Sequence, residues 1–322
     1  MNYGKKNLKK QKKALSSKKT RAQKKFALSF IRAIIVCVLI VIAIGIGGFA
    51  VYATQLINDT PDISTIDISP KGFSTTILDK DGAEIENLAS AGSNREYVTL
   101  DEIPEDLQHA FVAIEDSRFY EHNGIDTRGI MRAAFIGLNE MLHGGSPSQG
   151  ASTITQQLLK NNVFTTWTSE DTLQDSLKRK IQEQYLAVEL EKITDKDTIL
   201  ENYLNTINLG AGTLGVQAAA ERYFDKDVSE LTLSESAVIA GITQNPTKYN
   251  PITHPDNNFE RRVRVLDKML EFKYITQDEY DAAVADDVYT RIQAVDSDTS
   301  TSIYSYFVDA LIEEVIEDLQ EM

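Results

Sequence analysis

Residues 33–53 read AIIVCVLIVIAIGIGGFAVYA, 21 consecutive residues without a charge. As an α-helix such a run is about 31 Å long, close to the thickness of a bilayer's hydrocarbon core. Before it, residues 1–32 carry twelve Lys and Arg, from Lys5 to Arg32, and no acid. The chain holds 33 Lys+Arg and 48 Asp+Glu, so the 290 residues that follow the tail keep 21 basic and 48 acidic groups, a net charge of −27. A basic tail and an acidic remainder on either side of an apolar run belong in different electrostatic environments. The excess of cations before the span predicts a cytoplasmic N-terminus, with everything after Ala53 carried across the membrane. A secretory signal's apolar stretch is shorter, about 7–15 residues, but the small residues Gly45, Gly47, Gly48 and Ala50 keep cleavage open as an alternative. Nucleic acid is the rival partner for twelve cations. The tail has no such motif and no interleaved aromatics, so anionic membrane lipid is the expected partner, and nucleic acid is not.

Composition narrows the chemistry. The one cysteine, Cys37, excludes an internal disulfide and a cysteine-based zinc site. The four histidines, His109, His122, His143 and His254, form no HExxH pair.

Residues 54–73, with Pro61 and Pro70, read as a stalk. STTILDKDGAEIENL (74–88) alternates and turns at Asp81-Gly82, which predicts a small hairpin. From Asp101 the periodicity is helical: Leu173, Leu177, Ile181 and Val188 form one stripe, and Ile199, Leu200, Tyr203, Leu204 and Ile207 another. Leu231–Thr243 and Asn258–Phe272 are further predicted helices. Beyond Tyr274 a Ser/Thr/Asp-rich stretch (296–302) leads into an acidic amphipathic segment that ends the chain with no cap.

Gly210–Gly215 matches GxGxxG, but the segment before it is helical in period, so a turn between helices is expected and a nucleotide site is not. EDSRFYEHNG (115–124) packs two adjacent acids, a histidine and two aromatics after the apolar FVAI, which would partly desolvate Glu115 as a general base requires. The alternative is a helix end with solvated charges, capped at Gly124. GASTITQQ (150–157) opens a helix with Thr153 and Gln156 placed for a capping box. Gln156 and Lys160 are expected on one face, opposite Ile154 and Leu158, where free N–H groups, hydroxyls and a lysine suit an anion; plain capping is the alternative. RKIQE (179–183) sets an acid among cations, or makes an ordinary i,i+4 ion pair. KDTILENYLN (196–205) reads as a core helix with Glu201 on its far face. RRVRVL (261–266) is a local cation cluster in an acidic domain, suited to phosphate.

In their order and wording, EDSRFYEHNG, GASTITQQ, RKIQE, KDTILENYLN and RRVRVL closely resemble the five motifs of glycosyltransferase family 51, the peptidoglycan glycosyltransferase domain of class A penicillin-binding proteins and monofunctional transglycosylases. The linking text TTILDKDG, AAAERYFDK and LSESAVIAGITQNPTKYNP fits as well, so the resemblance spans about residues 74–275. Ala151, where many members have a second glycine, is a small departure. The resemblance implies a mainly α, lysozyme-like domain with a small strand element at its start, a membrane-facing small lobe, and one transmembrane helix ahead of it. It divides the chain into a basic cytoplasmic tail (1–32), transmembrane helix (33–53), stalk (54–73), glycosyltransferase domain (74–275), and a linker opening into a transpeptidase domain absent from this sequence (276–322).

The activity implied is polymerisation of lipid II onto a growing lipid-linked glycan at the outer face of the cell membrane. The acceptor sugar's 4-hydroxyl attacks the anomeric carbon and expels undecaprenyl diphosphate with inversion. Carried over motif by motif, Glu115 is the general base and Glu183 the second catalytic acid, near the donor diphosphate and placed to share a divalent cation, magnesium or manganese. No organic cofactor is implied. Asp116, Phe119, His122, Gly124, Ser152, Thr153, Gln156, Gln157, Lys160, Asn161, Arg179, Lys180 and Arg261 are the implied substrate-binding residues, with Lys160 and Arg261 neutralising the diphosphate. Proteins of cell-wall synthesis or division are the further partners. No KTG or KSG occurs, and the only SxxK, Ser16–Lys19, lies in the basic tail, so no transpeptidation is expected of these residues. A lysozyme-like muramidase would use Glu115 as an acid, against which the cations argue. A non-catalytic membrane scaffold would need neither acid.

Overall fold

The structure is a computed structural model. It describes residues 4–15, 18–72, 75–78, 80, 84–88, 95–143, 150–164, 172–293 and 314. The described chain is mainly helical: α1 (Lys5–Leu15), α2 (Lys18–Asn58), β1 (Thr75–Leu78), β2 (Glu84–Leu88), α3 (Glu105–Glu115), α4 (Thr127–Leu142), α5 (Ile154–Asn162), α6 (Leu173–Ile193), α7 (Lys196–Leu204), α8 (Val216–Phe224), α9 (Leu233–Ile242), α10 (Pro255–Glu271) and α11 (Gln277–Ala285). The chain divides into two compact units, Met1–Asp62 with Thr172–Gln182, and Ile63–Asp171 with Glu183–Met322.

In the first unit α2 takes up the whole apolar run as one helix of 41 residues. Its most apolar 18-residue window has a mean hydropathy of 3.1 and no part of it is buried, and it is the one helix among the described residues long and apolar enough to cross a membrane. The helix continues past Ala53 to Asn58, five residues into the segment read as a stalk, because Thr54–Asn58 contains neither glycine nor proline to stop it. Near its end Leu56 is buried, and its carbonyl accepts from the Gln182 side chain at 3.1 Å.

The second unit begins with the expected strand element. β1 and β2 pair antiparallel, Thr75 opposite Leu88 and Ile77 opposite Glu86, with an irregularity between Ile77 and Leu78. The Asp81-Gly82 turn lies outside the described residues, as do the loop 144–149 and the segment 294–313 with the stretch that follows Glu314.

The core is built by α3, α9 and α10, which pack on one another, with α5 against α7 and α8 against α9. Leu107, Phe111, Ile154, Leu158, Leu186, Ile199, Tyr203, Val238, Ile239, Val265 and Leu266 are all completely buried in one continuous cluster. α9 is buried from Ser234 to Ile242, its polar Ser234, Glu235 and Ser236 included. Its start is closed by a capping box between Thr232 and Glu235. The core also reaches past Tyr274. Ile275, Ala283 and Val288 belong to it, and Gln293 N–H donates to the Tyr223 carbonyl at 2.9 Å. Ile63, Ile66 and Ile68 pack on it from the other end of the unit. The same core therefore extends on both sides of the 74–275 stretch.

The glycine-rich stretch 210–215 is a tight turn between α7 and α8, closed by a bridge between Asn208 and Leu214. Gly215 holds φ +88°, and a Cβ there would meet the Asn205 carbonyl oxygen at 3.0 Å.

Candidate active site

Helix α3 ends at Glu115, α9 is closed by Thr243, and Arg261 projects from α10; the mutual packing of these three helices brings the three side chains together. Glu115 Oε2 accepts from the Gln157 side-chain amide at 2.9 Å, and Oε1 accepts from the Thr243 hydroxyl at 2.5 Å. Arg261 Nη2 lies 4.0 Å from Oε1, beyond hydrogen-bond distance but near enough for strong attraction. Burial lowers the Arg261 pKa and Glu115 partly restores it; a guanidinium stays charged in any case.

These groups open into a cleft of about 610 Å³, also lined by Asp116, Asp126, Gly129, Arg132, Ser152, Thr153, Lys160, Gln244, Lys268 and Glu271. Four cations thus share the cleft with four carboxylates, in a chain whose net charge is −15. Lys268 is paired with Glu271 at 2.5 Å, and Asp126 with Arg118.

The wall beneath Glu115 is set by its neighbour. Asp116 is buried, receives the His122 ring at 2.9 and 3.0 Å, and accepts the backbone N–H of Ile154 at 3.0 Å. That N–H is one of the unpaired donors at the start of α5, so one carboxylate ties the end of α3 to the start of the helix carrying Gln157 and Lys160. Gly124 completes the joint: with φ +81° it lies so close to Ala187 that a Cβ would meet that residue's carbonyl at 2.4 Å. Its own carbonyl accepts from Thr153 at 2.8 Å and from the Gln156 side chain at 3.3 Å.

Of the substrate-binding residues expected from the sequence, Asp116, Ser152, Thr153, Gln157, Lys160 and Arg261 line the cleft with Glu115. Phe119, His122, Gly124, Gln156 and Asn161 do not. Phe119 is fully buried in the core, with Lys196 Nζ 4.4 Å above its ring. The capping box expected at Thr153 is half formed. Thr153 accepts from Gln156 N–H at 3.2 Å, but the Gln156 side chain turns inward to Gly124 instead of returning to the cap. The cleft face of α5 is therefore Thr153, Gln157 and Lys160, one residue round from the expected Gln156 and Lys160 pair. The inward pull of Ile154, Leu158 and the buried Gln156 sets that rotation.

Glu183 is fully buried and is not a lining residue of this cleft. Arg179 and Lys180 belong to the first unit. Among the described residues no three His, Cys, Asp or Glu side chains converge on one point. The RRVRVL cluster is divided by its helix. Arg261 faces the cleft, whereas Arg262 is 1% exposed and donates to Ser234 Oγ at 3.0 Å and to the carbonyls of Val284 and Asp286 at 3.2 Å. Glu201 and Asn205 of α7 serve the fold. Glu201 accepts from Leu100 N–H at 2.7 Å, and Asn205 holds the Val98 backbone at 3.0 and 2.8 Å. Sequence reasoning did not single out Thr243, Arg132 or Lys268. Thr243 is expected only as the end of the helix Leu231–Thr243, within the linking text, and no local pattern marks its contact with a residue 128 positions earlier.

The fold is thus a mainly helical domain in which one cleft carboxylate, Glu115, is held by two hydrogen-bond donors with a guanidinium 4.0 Å away. A family model described as Transglycosylase matches residues 81–270, and the chain belongs to that family. It is 42% identical over 236 residues to penicillin-binding protein 1A of Clostridium novyi (strain NT), covering 72% of this chain and 27% of that protein. It is 41% identical over 255 residues to penicillin-binding protein 1A of Escherichia coli (strain K12), covering 79% and 28%. With penicillin-binding protein 1A/1B of Bacillus subtilis (strain 168) the identity is 36% over 307 residues, covering 94% and 32%. The chain thus spans about a third or less of the length of these relatives. Among solved structures, penicillin-binding protein 1A from Haemophilus influenzae matches with a TM-score of 0.37 and 25% identity, covering 76% of this chain and 24% of that one.

Proposed function

We propose that this chain is a peptidoglycan glycosyltransferase that polymerises lipid II at the outer face of the cell membrane, with Glu115 as general base. The observation that carries the reading is the Glu115 carboxylate at the end of α3, held by Gln157 and Thr243 with Arg261 at 4.0 Å, in a cleft that also holds Lys160 and Arg132. Hydrogen bonds donated to both oxygens fix the orientation of the carboxylate in the cleft. The acceptor's 4-hydroxyl gives its proton to Glu115 as its oxygen bonds to the anomeric carbon. The bond from that carbon to the diphosphate breaks, and the leaving diphosphate carries the electron pair. Proton removal of this kind contributes typically 10²–10⁴-fold. The leaving group needs fixed positive charge more than a proton, and Lys160 and Arg261 supply it.

Membrane lipid is the natural second partner. Besides α2, helix α4 exposes Met131, Phe135, Leu138, Met141 and Leu142, each at least 56% accessible and spaced to share one face. Such a face suits a protein that takes a lipid-anchored substrate.

The test is polymerisation of labelled lipid II by the full chain in detergent, wild type against Glu115→Gln, with and without divalent cation. Polymer from wild type and at least 100-fold less from a folded variant is expected. Equal polymer from both overturns the role of Glu115. Binding without turnover by wild type favours a scaffold, and digestion of finished glycan favours a muramidase.

A further inference from the structure

Thr243 is the residue that closes α9, and its hydroxyl oxygen stands between two acceptors, Glu115 Oε1 at 2.5 Å and the Ala240 carbonyl at 3.1 Å. A hydroxyl has one proton and two lone pairs, so it cannot donate to both at once. While Glu115 is ionised, the proton belongs on the carboxylate, because a hydrogen bond to a charged acceptor is the stronger. Once Glu115 has taken up a proton, the same hydroxyl can turn, donate to Ala240, and accept from the new carboxyl O–H. The Gln157 amide nitrogen on the other oxygen has no such second role, since it only donates.

We propose that Thr243 is a positioning residue that holds the Glu115 carboxyl group in place and, because its hydrogen bond to the ionised form is the stronger, sets the pH range over which Glu115 works as a base. The proposal rests on the reading of Glu115 as general base. It goes beyond that reading by assigning a role to a side chain outside the five motifs.

The other charged and titratable groups around Glu115 are accounted for. Arg261 of α10 is 4.0 Å away, with Lys268 and Glu271 of the same helix paired to each other further along the cleft. Lys160 of α5 and Arg132 of α4 line the same space, with Asp126 committed to Arg118. Asp116 is adjacent in sequence but engaged by His122 and Ile154. Tyr203 of α7 is completely buried, and burial first, then Glu115 and Asp116, hold its phenol protonated well above the usual range. None of these touches Oε1 within hydrogen-bond distance, which leaves Thr243 as its hydrogen-bond donor among the described residues.

The experiment is a kcat/KM profile against pH for lipid II polymerisation by the full chain, comparing wild type, Thr243→Val, Thr243→Ala and Thr243→Ser, with Glu115→Gln as reference. Removing the hydroxyl takes away a donor to the charged form. The acidic limb is therefore expected to move up by about one pH unit in Thr243→Val and Thr243→Ala, with a modest fall in melting temperature at neutral pH that linkage requires of the same lost hydrogen bond. Thr243→Ser keeps the hydroxyl and should keep the wild-type limb. A side chain that only filled space would lower the plateau without moving the limb. An unmoved limb in either folded variant lacking the hydroxyl, or a Ser variant shifted as far as Val, overturns the proposal. If Glu115→Gln is inactive while the limbs coincide, only the role of Thr243 falls. If Glu115→Gln polymerises like wild type, the base assignment falls and takes this one with it.

Discussion

Asp116 accepts the backbone N–H of Ile154 at 3.0 Å, a bond across 38 positions of sequence that joins the end of α3 to the start of α5. Glu115 and Gln157, whose side chains meet at 2.9 Å, each lie within three residues of that bond. The carboxylate next to the proposed base thus orients the base by anchoring its partner helix. Asp116→Asn keeps the shape but turns one acceptor into a donor facing either Ile154 N–H or His122. It should cost about 1–3 kcal/mol, visible as a fall in melting temperature, and lower polymerisation. An unchanged melting temperature would contradict the anchoring role.

Adjacent arginines should fail in opposite ways. Arg262→Ala removes a buried side chain lying 5.2 Å from Phe259 and 5.4 Å from Tyr289, and strands Ser234 and two carbonyls. A loss of roughly 3 kcal/mol of stability is expected. Arg261→Ala should cost about 1 kcal/mol or less in stability but reduce kcat by roughly 100-fold. Thermal melting and lipid II turnover of both variants separate the two effects.

Acid stability should depend on Glu235. Burial alone would raise its pKa, but the Lys226 ammonium at 2.9 Å, the Thr232 N–H at 3.0 Å and the Arg291 guanidinium at 2.9 Å bring it below the ordinary value of 4.5. A group whose folded pKa is depressed stabilises the fold above its unfolded pKa, and that stability is lost as pH falls through the folded value. Wild type should therefore lose stability as pH drops from about 5 to below 4, and Glu235→Gln, less stable at pH 7, should lose less over that interval. Melting temperatures at the two ends test this; parallel losses would exclude it.

Gly124→Ala should be severe although alanine is small. It combines φ +81° with a Cβ that would lie 2.4 Å from backbone atoms of Ala187, which no side-chain rotation can relieve. A loss of more than about 2 kcal/mol is expected, together with loss of the Thr153 and Gln156 contacts to the Gly124 carbonyl. Wild-type melting and turnover in this variant would show that the close approach is not required.

Features that depend on neighbours in sequence were legible before any coordinates. The apolar run from Ala33 to Ala53 dictates a helix wherever it sits, because backbone groups in hydrocarbon must be bonded within their own segment. The periodic stripes of α6 and α7, the cap at Thr153, and the order of five motifs around Glu115, Lys160 and Arg261 are likewise local patterns. Tertiary packing alone decided which face of each helix those residues occupy. It turned Gln156 inward and Gln157 into the cleft, buried Arg262 beside a cleft-facing Arg261, and committed Asp116 and His122 to the joint beneath the base. It also delivered Thr243 to Glu115 across 128 positions. Rotating a helix by one residue moves a side chain about 100°, and only the fit of the neighbouring apolar surfaces selects among such rotations.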